Sequence, residues 1–135
     1  MNNFRIAALA VALIATPALA DEPGPGGYKS PPPVTGEQVY KTVCQACHMA
    51  DAKGGTGAGT IPALAKNPNL AVSAYPVMMV ANGRGAMPWF RDMLSPAQIT
   101  AVVNYVRTHF GNDYKDGLSE KEVAAMIPPP PAAGH

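Results

Sequence analysis

The sequence predicts a small all-α domain, because three helix-start patterns and the spacing of apolar residues agree and no long strand pattern competes. Each start is a capping box, in which Ser or Thr is followed three residues later by Gln or Glu and both side chains bond to backbone N–H groups. The boxes begin at Thr35, Ser95 and Ser119. Apolar residues after them recur every three or four positions, which is the period of a helix.

Composition divides the 135-residue chain into four parts. Residues 1–20 contain Arg5, a short apolar run and small residues, the pattern of a secretory signal peptide cleaved after Ala20. An uncleaved membrane anchor is the alternative, but the run is shorter than the ~20 residues that a spanning helix needs. Residues 21–34 form a Pro/Gly-rich leader, residues 35–113 a folded domain, and residues 114–135 a short helix with a Pro-rich tail that we expect to be disordered.

The charge balance gives no sign of a nucleic-acid partner. The full sequence has ten basic and nine acidic side chains. Cleavage of the predicted signal peptide would remove one of them, Arg5, and leave nine of each sign. A basic excess, which nucleic-acid binding requires, is therefore missing. Export with cleavage predicts a periplasmic protein without stable membrane insertion.

The first helix begins after Thr35 and ends on Cys44–His48, which has the sequence CQACH. C-x-x-C-H is the signature of covalent haem attachment, in which both cysteines form thioethers and the histidine ligates the iron. Helical spacing places Cys44 and Cys47 on one face, as attachment to one ring edge requires. A disulfide, a zinc half-site and a thioredoxin-type pair are the alternatives. The adjacent histidine and the export signal favour haem, because the sequence has no second cysteine pair, only His109 and His135 as further histidines, and no βαβ context.

The next segment, 51–60, is rich in glycine and predicts a loop that packs closely under a haem edge. A phosphate-binding loop is the alternative, but the P-loop pattern and a preceding strand are missing. Ile61–Leu64 is expected to form a short buried turn. A short helix then begins with Pro76 at its first position and stops at Asn82–Gly83.

The longest helix begins at Ser95 with Pro96 at its first position. Its apolar face contains Ile99, Val102, Val103, Val106 and Phe110. Gly111 is expected to stop this helix, and the Ser119 capping box predicts a last short helix through Met126.

Eight residues are candidates for the second axial ligand of the iron. They are Met49, Met78, Met79, Met87, Met93, Met126, His109 and His135. Met87 is favoured because it lies in an irregular glycine-rich segment that allows close approach to a ring, and Pro88 fixes the chain direction after it. Met78 and Met79 lie in an apolar helix, where methionine usually fills the core.

Three motifs and their order carry a resemblance to a known family. Along residues 35–112, Cys44–His48 is followed by Ile61–Leu64 (IPAL), by Asn82–Pro88 (NGRGAMP) and by a final amphipathic helix. This order resembles a class I, monohaem c-type cytochrome. The resemblance implies a small cytochrome c fold, with a few short helices and loops wrapped around one covalently bound haem c that His48 and Met87 ligate.

The resemblance also implies particular contacts. The Pro62 carbonyl should accept a hydrogen bond from the His48 ring, which orients the imidazole. The first and last helices of the family cross at a glycine and aromatic residues, and Gly36, Tyr40 and Tyr105 match those positions.

Ligation by histidine and methionine leaves no free iron position for a substrate, so the sequence predicts a one-electron carrier and not an enzyme. The segment 102–112, followed by Leu118–Val123, is similar to cytochrome domains that work with periplasmic quinoprotein and other alcohol, sugar and aldehyde dehydrogenases. This resemblance implies a periplasmic dehydrogenase as electron donor and a terminal oxidase or another cytochrome as acceptor.

Several alternatives remain open. A haem peroxidase or gas-binding protein would need a displaceable sixth ligand, and no distal acid–base pair adjoins Met87. A permanent cytochrome subunit of a larger dehydrogenase complex is a further possibility. Arg84 and Trp89 could bind haem propionates or belong to the surface. Three lysines could form a docking patch, although solvated surface is the favoured interpretation; they are Lys41, Lys53 and Lys66.

Overall fold

The computed structural model describes residues 35–57 and 59–127. The predicted signal peptide, its cleavage site, the leader, residues 128–134 of the tail and His135 lie outside the described residues. The described helices are α1 (Gly36–Val39), α2 (Gln45–His48), α3 (Ala74–Asn82), α4 (Pro96–Thr108) and α5 (Glu120–Met126). A π-helical turn, Tyr40–Cys44, joins α1 to α2, and a 3-10 turn spans Pro68–Ala71. The mostly helical architecture confirms the all-α prediction.

The helix that carries the C-x-x-C-H motif begins as predicted. The Thr35 side chain accepts a hydrogen bond from the Gln38 N–H, and the Gln38 side chain accepts one from the Thr35 N–H. In the π-helical turn the Gln45 N–H donates to the Tyr40 carbonyl, five residues back. A π turn holds one more residue than an α turn, so it rotates the face that follows relative to α1.

Helix α4 has the predicted Ser95 capping box and Pro96 at its first position. It ends at Thr108, three residues before the predicted stop, because His109 is extended; Phe110 and Gly111 then adopt positive φ values, +58° and +78°. Its buried face forms the centre of the core, with Ile99, Val102, Val103 and Val106.

Helices α1 and α4 cross at the positions that the family resemblance implies. A Cβ atom on Gly36 would lie 2.1 Å from the Ala101 carbonyl oxygen, so only glycine allows the two backbones to approach this closely. The rings of Tyr40 and Tyr105 lie beside the crossing, with centroids 5.9 Å apart.

Helix α3 begins at Ala74, two residues before the predicted start, and ends at Asn82 as predicted. Pro76 is tolerated at its third position because the first N–H groups of a helix have no intrahelical partner. The glycine-rich segment contains a minimal antiparallel pair that the sequence did not predict, β1 (Gly55–Thr56) and β2 (Thr60–Ile61). The prediction of a buried turn at 61–64 is wrong, since Pro62 and Ala63 are exposed; Pro62 borders an open cavity.

Helix α5 packs against α3 and α4, and its Val123 is fully buried in the same core. Four partly buried side chains of the same segment pack against this core as well: Tyr114, Leu118, Met126 and Ile127. Among the residues that the structure describes, none of the helices combines the length and the apolar character required to cross a membrane.

Candidate cofactor site

A cavity of about 380 Å³ lies against the core, and residues of α2, α3, α4 and the segments between them line it. Its walls are mainly apolar, including Val43, Leu64, Leu70, Val80, Phe90 and Val103. Cys44, Cys47, His48 and Met87 also line this cavity, so the structure brings all four predicted haem-site residues together. Because Cys47 is exposed, the cavity is open to solvent beside it. An apolar slot with two thiols and an imidazole fits a covalently bound haem.

His48 is oriented by the backbone that faces it. Its side chain is buried, and Nδ1 lies 3.1 Å from the Pro62 carbonyl oxygen, as the family resemblance implies. A carbonyl can only accept, so Nδ1 carries the proton and donates, which leaves the Nε2 lone pair free to ligate iron. Burial lowers the pKa of His48, with the Pro62 bond opposing this effect, so the neutral, ligating form is favoured.

The chain around His48 is fixed by a glycine and a tyrosine. Gly54 has φ +65°, and a Cβ atom there would lie 2.1 Å from the Ile61 carbonyl oxygen and 2.8 Å from that of Pro62. Its missing side chain therefore allows the Pro62 backbone to reach the imidazole. The Tyr40 hydroxyl donates to the Met49 carbonyl at 2.7 Å, which holds the residue directly after His48.

The two cysteines are not paired with each other. Burial, with a smaller contribution from Cys47, raises the pKa of the Cys44 thiol to about 11. A thioredoxin-type pair needs a lowered thiol pKa, so this environment opposes that alternative. Within the described residues, no group of three or more His, Cys, Asp and Glu side chains could hold a metal ion.

Met87 lies at the end of a tight turn. The Arg84 N–H donates to the Met87 carbonyl and the Met87 N–H donates to the Arg84 carbonyl, both at 3.0 Å. Gly83 precedes this turn with φ +69°, and a Cβ atom there would lie 2.4 Å from the Met87 carbonyl oxygen. The reciprocal bonds and the missing side chain together fix where the Met87 backbone meets the cavity.

Met79 of α3 lines the same cavity, so the structure presents a second methionine that the sequence analysis had treated as core filler. Helical spacing could have indicated this position, because Pro76, Met79 and Val80 share one face and all three line the cavity. The other described candidates lie away from it: Met49, Met78, Met93, Met126 and His109. His109 instead stacks on the Tyr105 ring, with centroids 4.0 Å apart.

Arg84 is the one permanently charged side chain that lines the cavity among the described residues. Trp89, in contrast, is 58% exposed and is not part of the lining. Lys41 and Lys53 form exposed pairs with Glu37 and Asp51, as expected for solvated surface. Of these four side chains, Arg84 is thus the one that could reach a group bound in the cavity.

Two polar side chains that the sequence analysis did not single out support the cavity wall at Leu64–Leu70. Asn112 donates to the Leu64 carbonyl at 2.8 Å and accepts from the Asn67 N–H at 2.9 Å. Arg107 is fully buried and donates from Nε to the Leu70 carbonyl at 2.9 Å. Helical periodicity could have indicated the burial of Arg107, because it follows Ile99 and Val103 at intervals of four residues.

Comparisons with known proteins agree with this site. A family described as "Cytochrome C oxidase, cbb3-type, subunit III" matches residues 31–106. Cytochrome c6 of Leptolyngbya boryana is 41% identical over 73 residues, covering 53% of this chain and 85% of that protein. The cytochrome c subunit of the quinone alcohol dehydrogenase of Gluconacetobacter polyoxogenes is 34% identical over 107 residues, which are 69% of this chain and 22% of that subunit.

The chain thus spans less than a quarter of the length of this dehydrogenase subunit. Among solved structures, a protein named KustC0563 c-type cytochrome matches with a TM-score of 0.50 at 24% identity. The match covers 57% of this chain and 98% of that protein. At this identity the likeness shows the fold alone, and that fold is the small helical domain described above.

Proposed function

The chain belongs to the cytochrome c family and transfers electrons with a covalently bound haem c, and we propose that His48 and Met87 ligate its iron and that a dehydrogenase is its electron donor. Two comparisons support the first statement: the family match, and the cytochrome c6 of which this chain covers 85%. The convergence of Cys44, Cys47, His48 and Met87 on one cavity supports the second.

The bound haem supplies a one-electron couple at its iron. In our proposal Cys44 and Cys47 would hold the haem through thioethers, and the Pro62 carbonyl keeps the His48 ring in the tautomer whose Nε2 is free to ligate iron. The mainly apolar walls would limit the water around a bound haem, so less solvent would have to rearrange when its charge changes. With His48 and Met87 as its two ligands, the iron would offer a substrate no free position.

The turn that carries Met87 supports its assignment over Met79. Met87 lies on backbone that two reciprocal hydrogen bonds fix, and Gly83 permits this arrangement beside the cavity. The guanidinium of Arg84, in the same turn, makes no hydrogen bond or ion pair with the residues that the structure describes. We propose that it binds a haem propionate, because a charged carboxylate is the partner that a guanidinium binds best.

Visible spectra of the mature protein test the ligand assignment, with Met79→Ala as the matched control for Met87→Ala. The wild type should be low-spin and show the weak red-edge iron–sulfur band. The band should be lost in Met87→Ala and retained in Met79→Ala, since only one methionine occupies the axial position.

The opposite pattern would assign the ligand to Met79. A high-spin wild type, or rapid binding of carbon monoxide to its reduced form, would contradict closed ligation and favour the peroxidase or gas-binding alternative. Both outcomes leave covalent haem attachment intact, so they concern the sixth ligand alone.

A dehydrogenase partner is supported by the alcohol dehydrogenase subunit, whose match covers more than two thirds of this chain. The signal-peptide pattern of residues 1–20 supports maturation in the periplasm, where we place the encounter. We further propose that the chain is a carrier without enzymatic activity of its own, and that a terminal oxidase or another cytochrome accepts the electron.

Stopped-flow mixing with a purified quinone-dependent alcohol dehydrogenase tests the donor. Haem reduction should be fast when the alcohol is present and absent when it is omitted. Absence of reduction with any dehydrogenase from the same periplasm would contradict the proposal. Co-purification of the chain with a dehydrogenase in fixed proportion would instead show a permanent subunit.

A further inference from the structure

Arg107 is a fully buried arginine whose guanidinium is surrounded by acceptors. Nε donates to the Leu70 carbonyl at 2.9 Å, and one terminal nitrogen donates to the Asp116 carbonyl at 2.5 Å. The other terminal nitrogen donates to the Asp116 carboxylate at 2.7 Å and lies 3.5 Å from the Ala71 carbonyl oxygen. These bonds solvate the group inside the protein, and a guanidinium does not lose its proton there. Arg107 is therefore a permanent buried positive charge.

This charge lies directly behind a wall of the haem cavity. Leu70, whose carbonyl accepts from Nε, lines the cavity with its side chain, as does Val106, the residue before Arg107. The wall at this place consists of apolar residues, among them Leu70 and Val106. Water and salt screen a field poorly across such material, so a charge behind it acts strongly on a charge within it.

The charge that balances Arg107 is in a different environment. The Asp116 side chain is 68% exposed, whereas that of Arg107 is 1% exposed. Solvent screens the exposed carboxylate more effectively than the buried guanidinium, so the pair does not cancel at the cavity. The wall adjacent to Leu70 therefore carries a net positive field.

We propose that Arg107 is a positioning residue with an electrostatic role, which raises the reduction potential of the haem while Asp116 partly offsets it. The oxidised iron centre carries one positive charge more than the reduced one. A nearby fixed positive charge therefore disfavours the oxidised form and makes electron acceptance more favourable. The inference rests on the proposed placement of haem c in this cavity.

Redox titration of the mature holoprotein distinguishes charge from structural support. Arg107→Gln removes the charge and should lower the potential. Arg107→Lys retains the charge and should hold the potential near that of the wild type, although it loses the planar fork of hydrogen bonds and with it stability. Asp116→Asn should raise the potential, because the backbone acceptors of the guanidinium remain and only the offsetting charge is removed.

Asp113→Asn is the matched control. Asp113 is an exposed carboxylate three residues from Asp116, and it pairs with Lys115 instead of Arg107. Asp113→Asn changes the net charge by the same amount as Asp116→Asn and should leave the reduction potential unchanged. Any shift that it causes measures the effect of net charge alone.

A structural role predicts a different pattern. Arg107→Gln, Arg107→Lys and Asp116→Asn all weaken the same contacts, so they would lower stability together and shift the potential in one direction or not at all. Either result would overturn the inference. If Arg107→Gln fails to mature, Asp116→Asn still tests the inference, because its potential should rise while its stability falls. A chain without attached haem would contradict the proposed site, whereas attached haem with an unchanged potential contradicts this inference alone.

Discussion

The two sides of the haem cavity are built in different ways. On the His48 side, Cys44, Cys47 and His48 come from one continuous helical segment. On the Met87 side, the methionine lies on a tight turn after α3, far from that segment in the sequence. Each side depends on one glycine with positive φ, Gly54 or Gly83, whose missing Cβ atom permits a close backbone contact.

The His48 side and the Met87 side differ in how much of the fold must be in place before they can form. Local helical geometry and covalent attachment define the His48 side, so it tolerates rearrangement elsewhere. The Met87 side exists only when α3, the turn and the cavity wall are all in place. We therefore expect perturbations of the first side to remove the cofactor or its support, and perturbations of the second to alter ligation alone.

The largest effect should come from Cys44→Ala combined with Cys47→Ala. Without thioethers the chain cannot retain haem covalently, and the cavity then leaves a large apolar surface without its occupant. Haem staining after denaturing electrophoresis should be lost, and circular dichroism should show reduced helicity. Retained staining in the double variant would show that attachment uses another group.

Gly54→Ala should weaken the His48 side through its support. A Cβ atom would meet the Ile61 carbonyl at 2.1 Å, and alanine is strained at φ +65°. Overpacking and strain together should cost about 3 kcal/mol of unfolding free energy. Denaturant unfolding measures this loss, and the red-edge iron–sulfur band should persist. Loss of the band with unchanged stability would contradict the assignment of Gly54 to the His48 side.

Gly83→Ala is the corresponding change on the Met87 side. The clash with the Met87 carbonyl at 2.4 Å should displace the turn, at a cost of about 2 kcal/mol. We expect the iron–sulfur band to weaken or disappear while covalent haem is retained. An intact band in this variant would show that the turn does not control ligation.

Ser95→Ala tests whether a helix cap outside the cavity lining affects either side. The Ser95 side chain accepts from the Gln98 N–H at 3.2 Å, and loss of such a cap typically costs about 1 kcal/mol. The unfolding free energy should fall by this amount with an unchanged visible spectrum. A spectral change would mean that α4 transmits strain to the ligands.

The smallest effect should be the acid sensitivity of the Arg107–Asp116 contact behind the wall. The hydrogen bond from Arg107 is the main cause that holds the pKa of Asp116 below its usual 3.8. A lowered folded-state pKa means that this stabilisation is complete above the unfolded pKa and is lost as the pH falls through the folded value. The stability difference between the wild type and Asp116→Asn should therefore shrink below about pH 3.8. A difference in unfolding free energy that stays constant with pH would contradict this contribution of the Arg107–Asp116 contact.

Features encoded within a few neighbouring residues were predictable. The capping boxes at Thr35, Ser95 and Ser119 all form, because each needs only residues three positions apart. The end of α4 was misplaced, because the positive φ of Phe110 follows from tertiary contacts: its carbonyl accepts from Lys66 and its ring packs on Tyr40. A glycine stop alone does not encode these contacts.

By itself the sequence determined the attachment motif, the helix starts and the helical class, since periodicity, caps and C-x-x-C-H spacing act locally. Helical spacing places Met79 and Arg107 on apolar helix faces, but the tertiary structure decided that Met79 shares the cavity with Met87 and that Arg107 is buried behind its wall. The apolar face of a helix does not reveal whether it packs against the core or against a cofactor cavity. The burial of a charged side chain depends on hydrogen-bond acceptors from distant segments of the chain. Here Leu70 and Asp116 supply those acceptors only after the chain has folded.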